Sequence, residues 1–99
     1  MSKTKEKVKE EVKVKYPSDF SVFMLNDNVT TMDFVVSILV SIFSKNKSEA
    51  TQIMLNIHNL GKAKCGTYSY EIAEAKVEKT HLIAKQEGFP LTCIIKEEV

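Results

Sequence analysis

Arginine is missing from this chain: all fourteen basic residues are lysine. Without a guanidinium fork, bidentate arginine recognition of phosphates or base edges is excluded. Thirteen acidic residues bring the formal net charge to only +1, so the global basic footprint of a nucleic-acid binder is missing too. No nucleic-acid partner is expected. Cysteine is scarce as well. Cys65 and Cys93 lie far apart and form no C-x-x-C or zinc-type spacing, which predicts two reduced, buried thiols. Apolar runs are too short to span a bilayer, so no membrane partner is expected. The first residues are charged and lack the apolar stretch of a signal peptide. Together these absences point to a cytoplasmic protein.

What is present fits one soluble domain. Ninety-nine residues, 43% apolar and 27% charged, have the length and composition of a single globular unit. Such a chain can bury a core without disulfide or metal staples, at modest net stability. Residues 1–17 read as a flexible N-terminal extension and residues 18–99 as the core domain. Ser2 to Lys15 interleave six lysines and three glutamates with Val8, Val12 and Val14, too much charge to fold onto a core alone. Pro17 marks the boundary.

Phe20 to Leu25 reads as a strand that is partly apolar on both faces. Asn26-Asp27-Asn28 ends it with turn-forming residues. Thr30-x-x-Asp33 has the form of a capping box before a strongly apolar helix from Thr31 to Ser44. Ser48 is the expected cap of a second helix, Glu49 to Leu60. There Ala50, Ile53, Met54, Ile57 and Leu60 make a buried stripe, and Gly61 is the terminator. A second strand is expected over Ala63–Tyr68. A third helix over Tyr70–Gln86 has Ala73, Val77, Thr80 and Ala84 on one face, and Gly88 ends it. After Pro90 comes a last strand, Leu91–Lys96. The order β-α-α-β-α-β predicts an α+β sandwich: a three-stranded antiparallel sheet with three helices packed on one face.

Two features carry candidate chemistry. Asn26, Asp27 and Asn28 put three carbonyl or carboxylate acceptors between a strand end and a helix start. They serve as a plain turn, or as a group able to hold a cation or an ammonium. His58 follows Met54 by four residues and so shares its helix face. His58 is a structural or exposed histidine, or a hydrogen-bond acceptor through its neutral ring. Met54 is core, or an adaptable apolar wall. No nucleophile elbow accompanies Asp27 and His58, so no catalytic residues and no enzyme are expected. His58, His81 and the cysteines show no ligand spacing, so neither a metal nor another cofactor is expected.

The series Asn26-Asp27-x-x-Thr30-x-Met32, Met54-x-x-x-His58, Gly61-Lys62-Ala63-x-Cys65-Gly66 and Pro90-Leu91-x-Cys93 resembles the ClpS family from about Tyr16 to Glu97. That resemblance implies the same β-α-α-β-α-β sandwich, shared with the C-terminal domain of the ribosomal stalk protein. It also implies an adaptor for N-degron peptides and proteins, delivered to the N-terminal domain of a Clp AAA+ ATPase of the ClpA or ClpC type. The matching residues would bind a free α-amino group (Asn26, Asp27, Asn28, His58) and a bulky hydrophobic first side chain (Thr30, Met32, Val35, Met54, Leu91). Glu71 and Lys76, both expected to be exposed, match positions that meet the ATPase. Met32 implies rejection of β-branched guests, whose χ1 is stiff. One departure stands out: the family has Asn-Asp-Asp where this chain has Asn28 in the third place. The competing reading is a docking module of the same fold, like the stalk domain, with no amino-terminal pocket. Fold alone does not separate the two.

Overall fold

The computed structural model describes residues 19–98; the expected flexible extension lies outside them. Six elements follow in the order β-α-α-β-α-β: β1 (Phe20–Leu25), α1 (Met32–Ser41), α2 (Lys47–Leu60), β2 (Lys62–Tyr68), α3 (Tyr70–Glu87) and β3 (Thr92–Glu97). β1 occupies the bounds expected from its apolar run and the turn residues that follow it. Strand order is β2-β1-β3, with both pairings antiparallel.

The starts of α1 and α2 differ from expectation by one and two residues, each for a local reason, whereas α3 starts at Tyr70 as expected. α1 is capped by Thr31, whose hydroxyl accepts from the Phe34 amide at 3.2 Å. Thr30, the expected cap, is engaged by Asp27 instead. α2 is capped by Asn46, not Ser48. The Asn46 side chain accepts from the Glu49 amide at 2.8 Å, and the Glu49 carboxylate accepts from the Asn46 amide at 3.1 Å. This reciprocal pair is a capping box. α1 also stops at Ser41, short of the expected Ser44, because Ser44 adopts the left-handed region with φ +58°. The turn is closed by the Lys45 amide on the Leu39 carbonyl at 3.0 Å. Gly61 and Gly88, with φ +92° and +81°, end α2 and α3 where a side chain would be strained.

Register decides which residues meet the helices. Val22 and Met24 on β1, with Cys93 on β3, point inward and are buried. Val35, Ile38 and Leu39 from α1, Ala50 and Ile57 from α2, and Ala73 and Ala84 from α3 join them in the buried cluster, with Ile42, Phe43, Cys65 and Leu91. Full burial of a side chain the size of Met24 or Leu39 is worth roughly 1.5–3 kcal/mol. A bulge falls between Val22 and Phe23: they pair with Gly66 and Lys64, so Cys65 is the extra residue. Tyr68 folds back over Gly66, and a Cβ there would overlap its hydroxyl. The Lys76 ammonium donates to the Ile42 carbonyl at 2.7 Å and lies 5.1 Å from the Tyr68 ring centroid. Lys76 is therefore half-buried, not the exposed residue expected, because its charge is spent on the C-terminal end of α1. Glu71 is exposed.

Candidate functional site

The loop from β1 to α1 is organised by Asp27. Its Oδ1 accepts from the amides of Val29 (2.8 Å) and Thr30 (2.6 Å), and its Oδ2 accepts from the Thr30 hydroxyl at 2.7 Å. Partial burial pushes the Asp27 carboxyl up. The Thr30 amide and hydroxyl and the Val29 amide outweigh it, and the net shift is downward. Asp27 is therefore an anion held in place by its own loop. The Asn26 amide donates to the Gly61 carbonyl at 2.9 Å. That bond ties the exit of β1 to the end of α2, three residues beyond His58.

These ties create a hollow of about 260 Å³ between the start of α1 and the end of α2. It is lined by Asn26, Asp27, Asn28, Thr30, Met32, Val35, Met54, Ile57 and His58. Its polar lining is Asn26, Asp27, Asn28, Thr30 and His58, and its apolar lining is Met32, Val35, Met54 and Ile57. The volume lies below the roughly 300–1,000 Å³ of drug-sized sites, so it suits one side chain and a chain end. Met32 stands at the mouth, 46% exposed, while Val35 and Ile57 form buried wall at 6% and 3%. Acceptors, one of them anionic, that share a hollow with apolar side chains can hold an ammonium and its neighbouring hydrocarbon together.

Sequence reasoning placed eight of these residues at the site. It missed Ile57, which the buried stripe of α2 contained but which no polar signal marked. Leu91 is 4% exposed and belongs to the buried cluster that includes Val35 and Ile57, but it does not line the hollow. Glu71 and Lys76 lie on α3, away from it. Among the described residues, no group of three His, Cys, Asp or Glu side chains is placed to hold a metal ion. His81 instead accepts from the Cys93 amide at 3.0 Å. Both thiols are pushed up to about 12 by burial, which keeps them protonated and unreactive.

Residues 15–94 match the family model described as ATP-dependent Clp protease adaptor protein ClpS. The chain is 48% identical to the ATP-dependent Clp protease adapter protein ClpS of Wolinella succinogenes over 90 residues, covering 91% of this chain and 88% of that protein. It is 45% identical to the adapter of the same name from Nautilia profundicola over 94 residues, covering 95% and 97% of the two chains. In three dimensions it is similar to Agrobacterium tumefaciens ClpS2 bound to L-phenylalaninamide, with a TM-score of 0.80 and 29% identity over 84% of this chain and all of that one.

Proposed function

The chain belongs to the ClpS family of ATP-dependent Clp protease adaptor proteins, and we propose that it captures the free N-terminus of substrates whose first residue is Leu, Phe, Tyr or Trp and delivers them, in the cytoplasm, to the N-terminal domain of a Clp AAA+ ATPase of the ClpA or ClpC type. The observation that carries this reading is the single hollow that joins the acceptors of Asn26, Asp27, Asn28 and His58 to the apolar wall of Met32, Val35, Met54 and Ile57.

An ammonium has three donors and no acceptor, so its site must supply acceptors only. Asn26 offers its side-chain carbonyl and His58 an unprotonated ring nitrogen. Asp27 contributes negative charge and the spare lone pair of Oδ2, since Oδ1 is already filled by two amides. Asn28 keeps an acceptor but supplies no charge, which weakens the grip relative to an aspartate there. A blocked terminus has fewer donors and no charge, and each acceptor left unpaired costs about 1–3 kcal/mol.

The first side chain fills the space between Met32, Val35, Met54 and Ile57, with Thr30 at its polar edge. Leu91 contributes through the buried cluster it shares with Val35 and Ile57. L-Phenylalaninamide, the ligand of the Agrobacterium protein, has the same chemistry: a free amino group, a bulky side chain and an amide where the next peptide bond would begin. Glu71 and Lys76 are assigned to the ATPase contact. The protein acts by binding, with no catalytic residue.

The test is a titration of three labelled peptides that differ only at the first position: one starting with Leu, its acetylated twin and a twin starting with Ile. The Leu peptide is expected to bind at least about tenfold more tightly than either twin. Equal affinities for all three overturn the reading.

A further inference from the structure

The sheet has a second face, and among the described residues no helix covers it. Register places three rows across it: Lys62, Leu25 and Thr92; Lys64, Phe23 and Ile94; Thr67, Ser21 and Lys96. Phe23, Leu25 and Ile94 are half-buried, whereas all three lysines are exposed. The centre is therefore apolar and its flanks are basic.

This charge distribution runs against that of the folded domain. Residues 19–98 hold eight lysines and ten acids, a net charge of −2. Three of those lysines stand on this face, accompanied by Glu98, which lies 3.3 Å from Lys64 and accepts from the Ser21 hydroxyl. Glu98 is also within electrostatic reach of Lys96, so the three lysines and one glutamate leave the face with a net +2, and Lys62 and Lys96 stand at opposite corners. The Lys62 ammonium lies 5.6 Å from the Phe23 ring centroid, leaning over the apolar centre.

We propose that this open sheet face, Lys62 and Lys96 around Phe23, Leu25 and Ile94, is a docking surface for an extended acidic segment of a partner protein. Charge chooses the occupant. A second copy would bring the same basic face and be repelled. Residues 1–18 carry six lysines and three glutamates, so this chain's own extension has the wrong sign as well. An acidic segment is the complementary one.

Geometry sets its spacing. Lys62 and Lys96 sit two strands apart, about 10 Å, and four residues apart along β1, about 13 Å, a diagonal of roughly 16 Å. Two carboxylates four residues apart on an extended chain span about 13 Å, and side-chain reach covers the difference. The residue midway between them points to the same side and would rest on Phe23 and Ile94. The segment thus reads acid-x-apolar-x-acid.

The probe is an N-acetylated peptide containing Asp-Ala-Leu-Ala-Asp, blocked so that a site for free amino groups does not take it. Amide NMR shifts of the full chain are followed at low salt, alongside a Lys-Ala-Leu-Ala-Lys twin and an oligothymidylate. Saturable shifts confined to β1, β2 and β3, at least tenfold weaker binding by Lys62→Glu/Lys96→Glu with an unchanged melting curve, and no binding of the basic twin are expected. Both substituted residues are exposed, so folding is not at stake. No saturable binding, an unaffected double variant or equal binding of the basic twin overturns the proposal. Tighter binding of the oligothymidylate also overturns it and reassigns the face to nucleic acid.

Discussion

Asp27 holds Thr30 by both of its carboxylate oxygens: one accepts the backbone amide at 2.6 Å and the other the side-chain hydroxyl at 2.7 Å. The residue with the formal charge at the rim is thus also the residue that shapes it. Its depressed carboxyl sets a pH window. Because the folded value lies below the ordinary 3.8, the stabilisation is present above 3.8 and is lost as pH falls through the folded value. The Val29 and Thr30 amide resonances should therefore hold steady from neutral pH down to about 4 and move only in stronger acid. A midpoint at or above 3.8 would refute this. Asp27→Ala removes three hydrogen bonds and should weaken peptide binding by at least about tenfold.

At His58 the proposed role is to accept, and substitutions separate accepting from mere bulk. His58→Gln retains an acceptor and should keep most of the affinity. His58→Ala removes it, at a cost of about 1–3 kcal/mol, or roughly fivefold to 150-fold. His58→Lys sets a cation against the ammonium and should bind worst. Fluorescence anisotropy with a Leu peptide reads all three, and equal affinity of the Lys and Gln variants would remove the histidine from the site.

Met32→Ala should admit β-branched guests. The side chain sits at the mouth and is 46% exposed, so its loss changes shape more than stability. Affinity for the Ile peptide should rise at least about tenfold while the Leu peptide changes less. Continued rejection of Ile would place the steric wall elsewhere.

Thr80 is fully buried on α3, and its hydroxyl has no hydrogen-bond partner among the described residues. Thr80→Val replaces an orphaned polar atom by a methyl of the same shape. Stability should rise by about 1 kcal/mol, or roughly 4–8 °C in Tm for a domain of this size. A urea titration checks it; a lower midpoint would mean that the hydroxyl has a partner.

Cys65 and Cys93 flank β1 from opposite sides, so their Cα atoms are about 10 Å apart, beyond the roughly 7 Å limit for a disulfide. Burial raises both thiols from 9.0 to about 12. The sign is opposite to that of Asp27: stability is intact below pH 9 and falls between pH 9 and about 12, as the unfolded chain ionises first. Cys65→Ala/Cys93→Ala should flatten that alkaline loss. Iodoacetamide at pH 8 should label neither thiol until denaturant is added.

Much of the fold was legible because its signals are local. Flanking polar and turn residues bounded the apolar run of β1, and Gly61 and Gly88 announced the ends of α2 and α3 through left-handed backbone that glycine alone adopts without strain. The start of α1 was not legible, since Thr30 and Thr31 are chemically identical caps. Only the competition of Asp27 for Thr30 decides between them. The end of α1 was hidden too, because its left-handed residue is Ser44 and no glycine marks it. At the hollow, type and spacing left Asn26, Asp27 and Asn28 readable as a plain turn and His58 as a structural residue; only the family resemblance grouped them. Ile57 was not legible, since an isoleucine in a buried stripe looks the same whether its outer methyl meets another side chain or an opening. Leu91 shows the converse: matching a pocket position in sequence does not make it part of the lining.

The bond from Lys76 to Ile42 bears on how the proposed ATPase contact can be tested. A variant that loses delivery after Lys76→Ala has also lost a brace between α3 and the far end of the helix carrying Met32 and Val35, so one phenotype has two origins. Glu71, exposed on the first turn of α3, is the cleaner reporter: reversing its charge leaves that brace untouched, and any defect then belongs to the partner.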